Sequence, residues 1–354
     1  ADVAHQRRAG SWRTLAAGSW RRRDAWPLPN DGGERFNSDL EQFSLLLRGG
    51  RPVKGTGRLG LLATGWTAEK GVPPELHLGD DARFWRYPAR ERALLGAALD
   101  LPLGDGGVWD LGATASVDFF HQEIDPRGPE GWDEPQVAGQ DYEENWDRTG
   151  FGRLRLVRWL GDQAKVALQG SARYTNHRES VTVGGPVLTY SQWLNSLAVE
   201  GEAVFADHWT LRAGLGWDHA ATPETGDKPA NEPQDAPALN LRLVGDLGAR
   251  SGVYAGLGRR SRFPSLRESY SGALGRFVPN PDQGPERQDQ VEVGATTATE
   301  SWRLEGAAFS SRLTDGIERE AVPGTNQYRR VNRSELRVPG LEIIGAWTPH
   351  PAAE

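Results

Sequence analysis

The sequence predicts an all-β chain: an antiparallel up-and-down transmembrane β-barrel, with about 14 strands visible over its 354 residues. Three observations predict it. Apolar and polar residues alternate with a period of two over runs of about ten residues, long enough to cross a bilayer when tilted. Short turns alternate with long connections along the chain. Tryptophan is unusually frequent, 14 residues, and is sorted to strand ends.

The connections divide the chain in order. Long ones fall near Trp26–Phe36, Lys70–Phe84, Gln122–Arg148, Asn176–Thr189, Ala220–Pro237, Phe263–Arg287 and Thr314–Tyr328. Between them lie short turns near Gly49–Gly57, Gly104–Val108, Gly161–Gln163, Ala206–His208, Gly248–Gly252 and Ala298–Ser301. A meander so connected puts every short turn at one end and every long loop at the other. The clearest strand runs are Trp109–Phe120, Ala164–Thr175 and Trp209–Asp218. In these, Val117, Val166, Leu168, Leu211 and Leu215 share the apolar face, expected to meet lipid. Asp118, Lys165, Arg173 and Arg212 share the polar face, expected to line the lumen. Trp109, Trp159, Trp209, Trp302 and Trp347 stand beside short turns, and Trp66, Trp85, Trp146 and Trp193 near the long-loop ends. Indole has an apolar ring and one donor, so it settles where hydrocarbon meets water; two levels of it read as two girdles.

Composition narrows the function. Forty-eight acids against 41 bases give a net charge of −7, too acidic for a general nucleic-acid binder. The absence of cysteine removes disulfides and thiolate metal sites. With no methionine, even at position 1, the chain is expected to be a processed product or a fragment.

One segment is irregular. Tyr270–Gly294 reads YSGALGRFVPNPDQGPERQDQVEVG, a proline- and glycine-rich excursion that turns abruptly into an alternating strand. Proline holds such a loop extended and removes donors that would invite pairing. Phe263, Pro264 and Ser265 precede it; Asn280, Pro281, Pro285 and Glu286 lie within it; Glu292 and Gly294 follow. Phe309, Asp315 and Ile317, then Gly340 and Glu342, come on the next two strands. In that order these residues resemble the TonB-dependent outer-membrane receptors, and Gly65–Leu76 resembles an earlier part of the same barrel. The resemblance implies localisation in the bacterial outer membrane, contact with its lipid, and an extracellular ligand: an iron chelate, cobalamin or a carbohydrate. A ferric siderophore-type chelate is the leading choice. It also implies coupling to the TonB system through a plug domain that these residues do not include. Relative to the 22 strands of such transporters the barrel is partial, so residues 1–354 are expected to be a portion truncated at both ends. Edge strands are then expected near Ser11–Trp20 and Leu341–Trp347, paired with each other or exposed. A passive porin or channel and a barrel adhesin are the alternatives; the Asn280–Glu286 run argues against the porin.

No enzyme is expected, and no cofactor is implied: there is neither a Gly-x-Ser-x-Gly elbow nor a phosphate-binding glycine motif. His121 and Glu123 share a strand face and could bind a metal, but no third ligand is apparent, and a solvated loop edge is the plainer reading. The ligand-binding candidates lie on the long-loop side. Trp132, Tyr142 and Trp146 are interleaved with nine acids in Gln122–Arg148, a pattern that could grip a sugar or a cation-bridged chelate, or simply keep the surface solvated. Arg267 and Arg276, in Phe263–Arg287, suit an anionic chelate instead.

Overall fold

The computed structural model describes residues 1–28, 32–75, 77, 85–126, 143–182, 184–206, 208–270 and 277–348. The chain runs β1 (Asp2–Ala9), β2 (Trp12–Arg23), β3 (Trp26–Pro27), β4 (Glu34–Arg35), β5 (Leu40–Pro52), β6 (Arg58–Val72), β7 (Trp85–Leu103), β8 (Trp109–Pro126) and β9 (Glu143–Trp159). It continues through β10 (Ala164–Ser180), β11 (Leu188–Phe205), β12 (Trp209–Thr225), β13 (Gln234–Gly248), β14 (Ser251–Arg262), α1 (Leu266–Ser269), β15 (Phe277–Val278), β16 (Glu286–Ala298), β17 (Trp302–Ala321) and β18 (Tyr328–Trp347). Sixteen strands form one sheet in the order β1-β2-β5 through β14, then β16-β17-β18-β15. All neighbours are antiparallel except the two-residue β15, which lies parallel to β18. Among the described residues β1 and β18 are not paired with each other, so the sheet has two edges.

Fifteen of these strands are long, one more than about 14. The added one is β1, joined to β2 by the two-residue turn Gly10–Ser11, with Ala9 opposite Trp12 and Gly10 at φ 59. Its sequence DVAHQRRA has no apolar alternation, and every residue of it is exposed. The edge is therefore β1, one strand earlier than Ser11–Trp20.

The faces are sorted as period two requires. Val117, Val166, Leu168 and Leu215 are 43%, 41%, 52% and 62% exposed, on the convex wall. Asp118 and Arg173 line one concave cavity, and Lys165 and Arg212 another. On that concave side Lys165 and Arg212 both pair with Glu202, at 2.9 and 2.6 Å. Apolar outside and ion-paired inside is the inverse of a soluble core and suits a wall between lipid and water. Among the described residues no helix is long and apolar enough to cross a membrane, which bears on helices alone. At the short-turn end Trp109, Trp209 and Trp302 begin strands, and Trp347 stands directly opposite Trp302. Trp66 departs from the expected girdle: it faces the lumen, its ring 6.4 Å from that of Phe120. Among the described residues a buried apolar cluster forms from Tyr190, Leu266 and Tyr270, where α1 meets the barrel.

Two motif glycines have a steric reason. Gly294 lies directly opposite Tyr254, and a Cβ on it would stand 2.5 Å from the tyrosine ring; Gly340 lies opposite Phe309, with 2.2 Å to the ring tip. Each glycine is the floor on which a lumen-side ring lies flat. Gly340→Ala should therefore displace Phe309 and cost about 1–2 kcal/mol by overpacking. Urea unfolding of the purified barrel reads this, and an unchanged midpoint would show that the ring moves freely.

Candidate functional site

The irregular stretch after β14 is folded into the mouth of the lumen and held there from several strands. Ser265 caps α1 in a capping box with Glu268. Arg262 pairs with Glu286 at 2.5 Å and with Glu268 at 2.8 Å. Gln192 Nε2 donates to the Pro264 carbonyl at 2.9 Å, and Arg267 pairs with the buried Glu143 at 2.9 Å. Farther on, Asn280 Nδ2 donates to the Arg330 carbonyl, the Gly284 amide donates to Asn332 Oδ1, and the Ile317 amide donates to Glu286 Oε1 at 2.6 Å. Asn332 also donates to the carbonyl of Asp315, held at φ 57. The motif residues Pro264, Ser265, Asn280, Glu286, Asp315 and Ile317 thus form a bracket. It ties a loop that leaves β14 to β9, β11, β17 and β18. Within the described residues the excursion is pinned on two sides: residues 264 and 267 to β11 and β9, and residues 280 and 284 to β18.

Beneath the bracket, on the long-loop side, is a cavity of about 850 Å³ lined by β6 to β12 and the segment after β14. Its walls hold Arg90, Arg92, Arg173, Arg262 and Arg267 with His177, against Asp118, Asp147 and Asp218. Most of these are already matched. Arg92 pairs with Asp118, His177 Nδ1 contacts Asp147 at 2.6 Å, and Ser196 donates to Asp218 at 2.5 Å. Two guanidinium groups have no carboxylate partner among the described residues. Arg90 donates to Gln122 at 3.0 Å and lies over the rings of Trp66, Tyr87 and Phe120; Arg173 lies over Phe151. A guanidinium against an aromatic face keeps its donors available for a planar anion. In the bracket above, burial acts to raise the Glu268 carboxyl, but the Arg262 guanidinium and the Ser265 amide and hydroxyl outweigh it and hold it below its ordinary range.

Of the ligand-binding candidates, Arg267 lines this cavity. Trp146 stands on the outer wall, stacked on His121 with ring centroids 5.7 Å apart. Trp132, Tyr142 and Arg276 lie outside the described residues. Arg90, Gln122, His177 and Gln192 were not singled out from sequence. Their shared signal is lumen-facing parity near the long-loop end, which several wall residues also carry.

Residues 19–349 match the family model described as TonB dependent receptor-like, beta-barrel. No curated protein matches the sequence. Among solved structures, the copper transporter OprC is similar at TM-score 0.75 and 16% identity, over 96% of this chain and 56% of that one. The FrpB iron transporter from Neisseria meningitidis gives 0.74 and 14%, over 99% and 57%. The siderophore receptor PirA from Pseudomonas aeruginosa gives 0.66 and 14%, over 97% and 58%. At such identities these likenesses show the fold. The chain spans little more than half the length of each structure. With the barrel's sidedness, its lumen bracket and the family match over nearly all its length, the chain belongs to the TonB-dependent receptor β-barrel family.

Proposed function

We propose that this chain supplies the ligand-selecting wall of a bacterial outer-membrane receptor that imports an anionic metal chelate, of the ferric siderophore type, in a TonB-dependent manner. The observation that carries the reading is the pair Arg90 and Arg173, both without a carboxylate partner among the described residues, in a cavity of about 850 Å³ at the long-loop end. That volume suits a drug-sized chelate. Carboxylate, catecholate or hydroxamate oxygens around a metal would meet two guanidinium forks and the rings of Trp66 and Phe120. Solved structures of similar fold include a copper transporter, an iron transporter and a siderophore receptor, which favours a metal-bearing ligand. The family match over residues 19–349 favours a receptor over a passive porin, and the loop pinned at Glu286 and Asn332 carries the motif residues. The wall itself performs no chemistry; the energised step belongs to the TonB system acting through a plug domain.

The test is ligand binding by the outer-membrane protein that carries this chain. Arg90→Ala with Arg173→Ala should weaken binding of a ferric chelate at least tenfold, about 1.4 kcal/mol, with the amount of assembled barrel unchanged. Equal affinity in variant and parent would overturn the site. Uptake that persists when the inner membrane is de-energised would overturn the receptor reading in favour of a porin.

A further inference from the structure

The outer wall carries a second cluster, separate from the lumen. On β8 the even residues Asp118, Phe120 and Gln122 line the cavity, while Val117 and Phe119 are 43% and 47% exposed to the lipid side. Parity therefore places His121 and Glu123 on the outer wall. On β9, Asn145 and Asp147 line the cavity, so Glu144 and Trp146 face outward. Register sets Glu91 and Trp146 directly opposite His121, and Glu144 directly opposite Glu123. The cluster stands just above Phe119, at the loop-side rim of the apolar band.

We propose that His121, Glu123 and Glu144 form a site for a zinc-class divalent cation on this outer wall. One donor atom from each residue lies within 4.8 Å of the others. His121 Nε2 is 3.1 Å from Glu144 Oε1 and 3.7 Å from Glu123 Oε1. Donors about 2.1 Å from a tetrahedral zinc stand about 3.4 Å apart, so the two distances bracket the value a bound ion requires. One imidazole with two carboxylates is a borderline donor set, suited to Zn²⁺ rather than to the all-oxygen shells of Ca²⁺ or Mg²⁺.

Two further observations point to a cation. Glu123 and Glu144 are a directly opposed like-charge pair, whose repulsion a cation held between them would relieve. Both face the same ring nitrogen, which has at most one proton to offer two carboxylates. The other ring nitrogen, Nδ1, faces Glu91 Oε2 at 3.7 Å, the side from which a carboxylate orients a metal-binding histidine. Stacking on Trp146, at an interplanar angle of 15°, holds the ring in that plane. A bound ion would fasten β8 to β9 at the base of the long loop that joins them. The competing explanation is a protonated His121 neutralising the carboxylates with no metal.

The experiment uses the outer-membrane protein that carries this chain, purified in detergent and stripped with a chelator. Zn²⁺ is followed by isothermal titration near neutral pH, and Cu²⁺ by quenching of tryptophan emission. We expect one saturable Zn²⁺ equivalent that is absent in His121→Gln/Glu144→Gln, and a rise in thermal midpoint with Zn²⁺ in the parent alone. Cu²⁺ should quench the parent. Trp146→Phe should lose that quenching component while keeping the Zn²⁺ equivalent, because the indole reports on the ion without binding it. If the double variant does not assemble, Glu123→Gln alone should bind Zn²⁺ at least tenfold more weakly. The proposal is overturned if the parent takes up no more Zn²⁺ than the double variant, or if Glu123→Gln binds as tightly as the parent. It is equally overturned if the midpoint follows only the protonation of histidine and not the metal.

Discussion

Leu168→Arg should destabilise the barrel by about 2–4 kcal/mol, the cost of a charge on the lipid face near mid-depth. Leu168 is 52% exposed on the convex wall. Along β10 it lies between the short turn that follows Trp159 and Tyr174, whose ring stands 4.8 Å from that of Trp193 toward the long-loop side. Its neighbours across the ladder are Leu156 and Val199, which offer an arginine neither an acceptor nor a path to water within one row. The comparison is Gln169→Glu, one residue on and on the lumen side, directly opposite Arg155; its effect should fall below about 1 kcal/mol. Folding into lipid vesicles, followed by denaturant titration, measures both. Equal costs in the two variants would mean that the convex wall does not face lipid, and the membrane reading would fall with it.

Glu286→Ala should release the loop bracket and cost roughly 1.5–3 kcal/mol, the worth of hydrogen bonds to a charged group. Glu286 accepts from Arg262 at 2.5 Å and from the Ile317 amide at 2.6 Å, so its loss leaves that amide without its acceptor and Arg262 with Glu268 alone. Glu286→Gln keeps an oxygen for Ile317 and should cost less. Limited proteolysis in the 263–285 segment should speed up in Glu286→Ala and hardly at all in Glu286→Gln; identical rates in both would show that the bracket does not hold the loop. The same bracket should weaken in acid. The Glu268 carboxyl is held below its ordinary range, so its contribution is present above the unfolded carboxylate range and is lost as pH falls through the folded value. Proteolysis of the parent should accordingly accelerate below the usual carboxylate range, and a rate flat across it would count against the Arg262–Glu268 pair.

By itself the sequence determined the strand class, the sidedness of the turns and the face of the residues in the clearest strand runs, though not that of Trp66. These follow from local rules. Side chains alternate with a period of two, so Val117 against Asp118 or Leu168 against Lys165 can be assigned without knowing any partner strand. A hairpin needs a nearby turn, so Gly161–Gln163 and Ala206–His208 announce themselves. Where the local signal is missing, as in the polar β1, the strand was invisible. The motif at Phe263–Glu286 was legible as a resemblance, but its job was not.

Only the tertiary structure decided what meets what. Arg267 reaches Glu143 across 124 residues of sequence, Glu286 takes the amide of Ile317, and Glu144 completes a trio with His121 and Glu123. Arg90 and Arg173 became site candidates only when their neighbours proved to be aromatic rings and a glutamine rather than carboxylates. Period two says which way a side chain points, yet not which strand curls round to face it. That depends on the accumulated register of successive ladders and on the curvature of the whole sheet, and no short stretch of sequence encodes either.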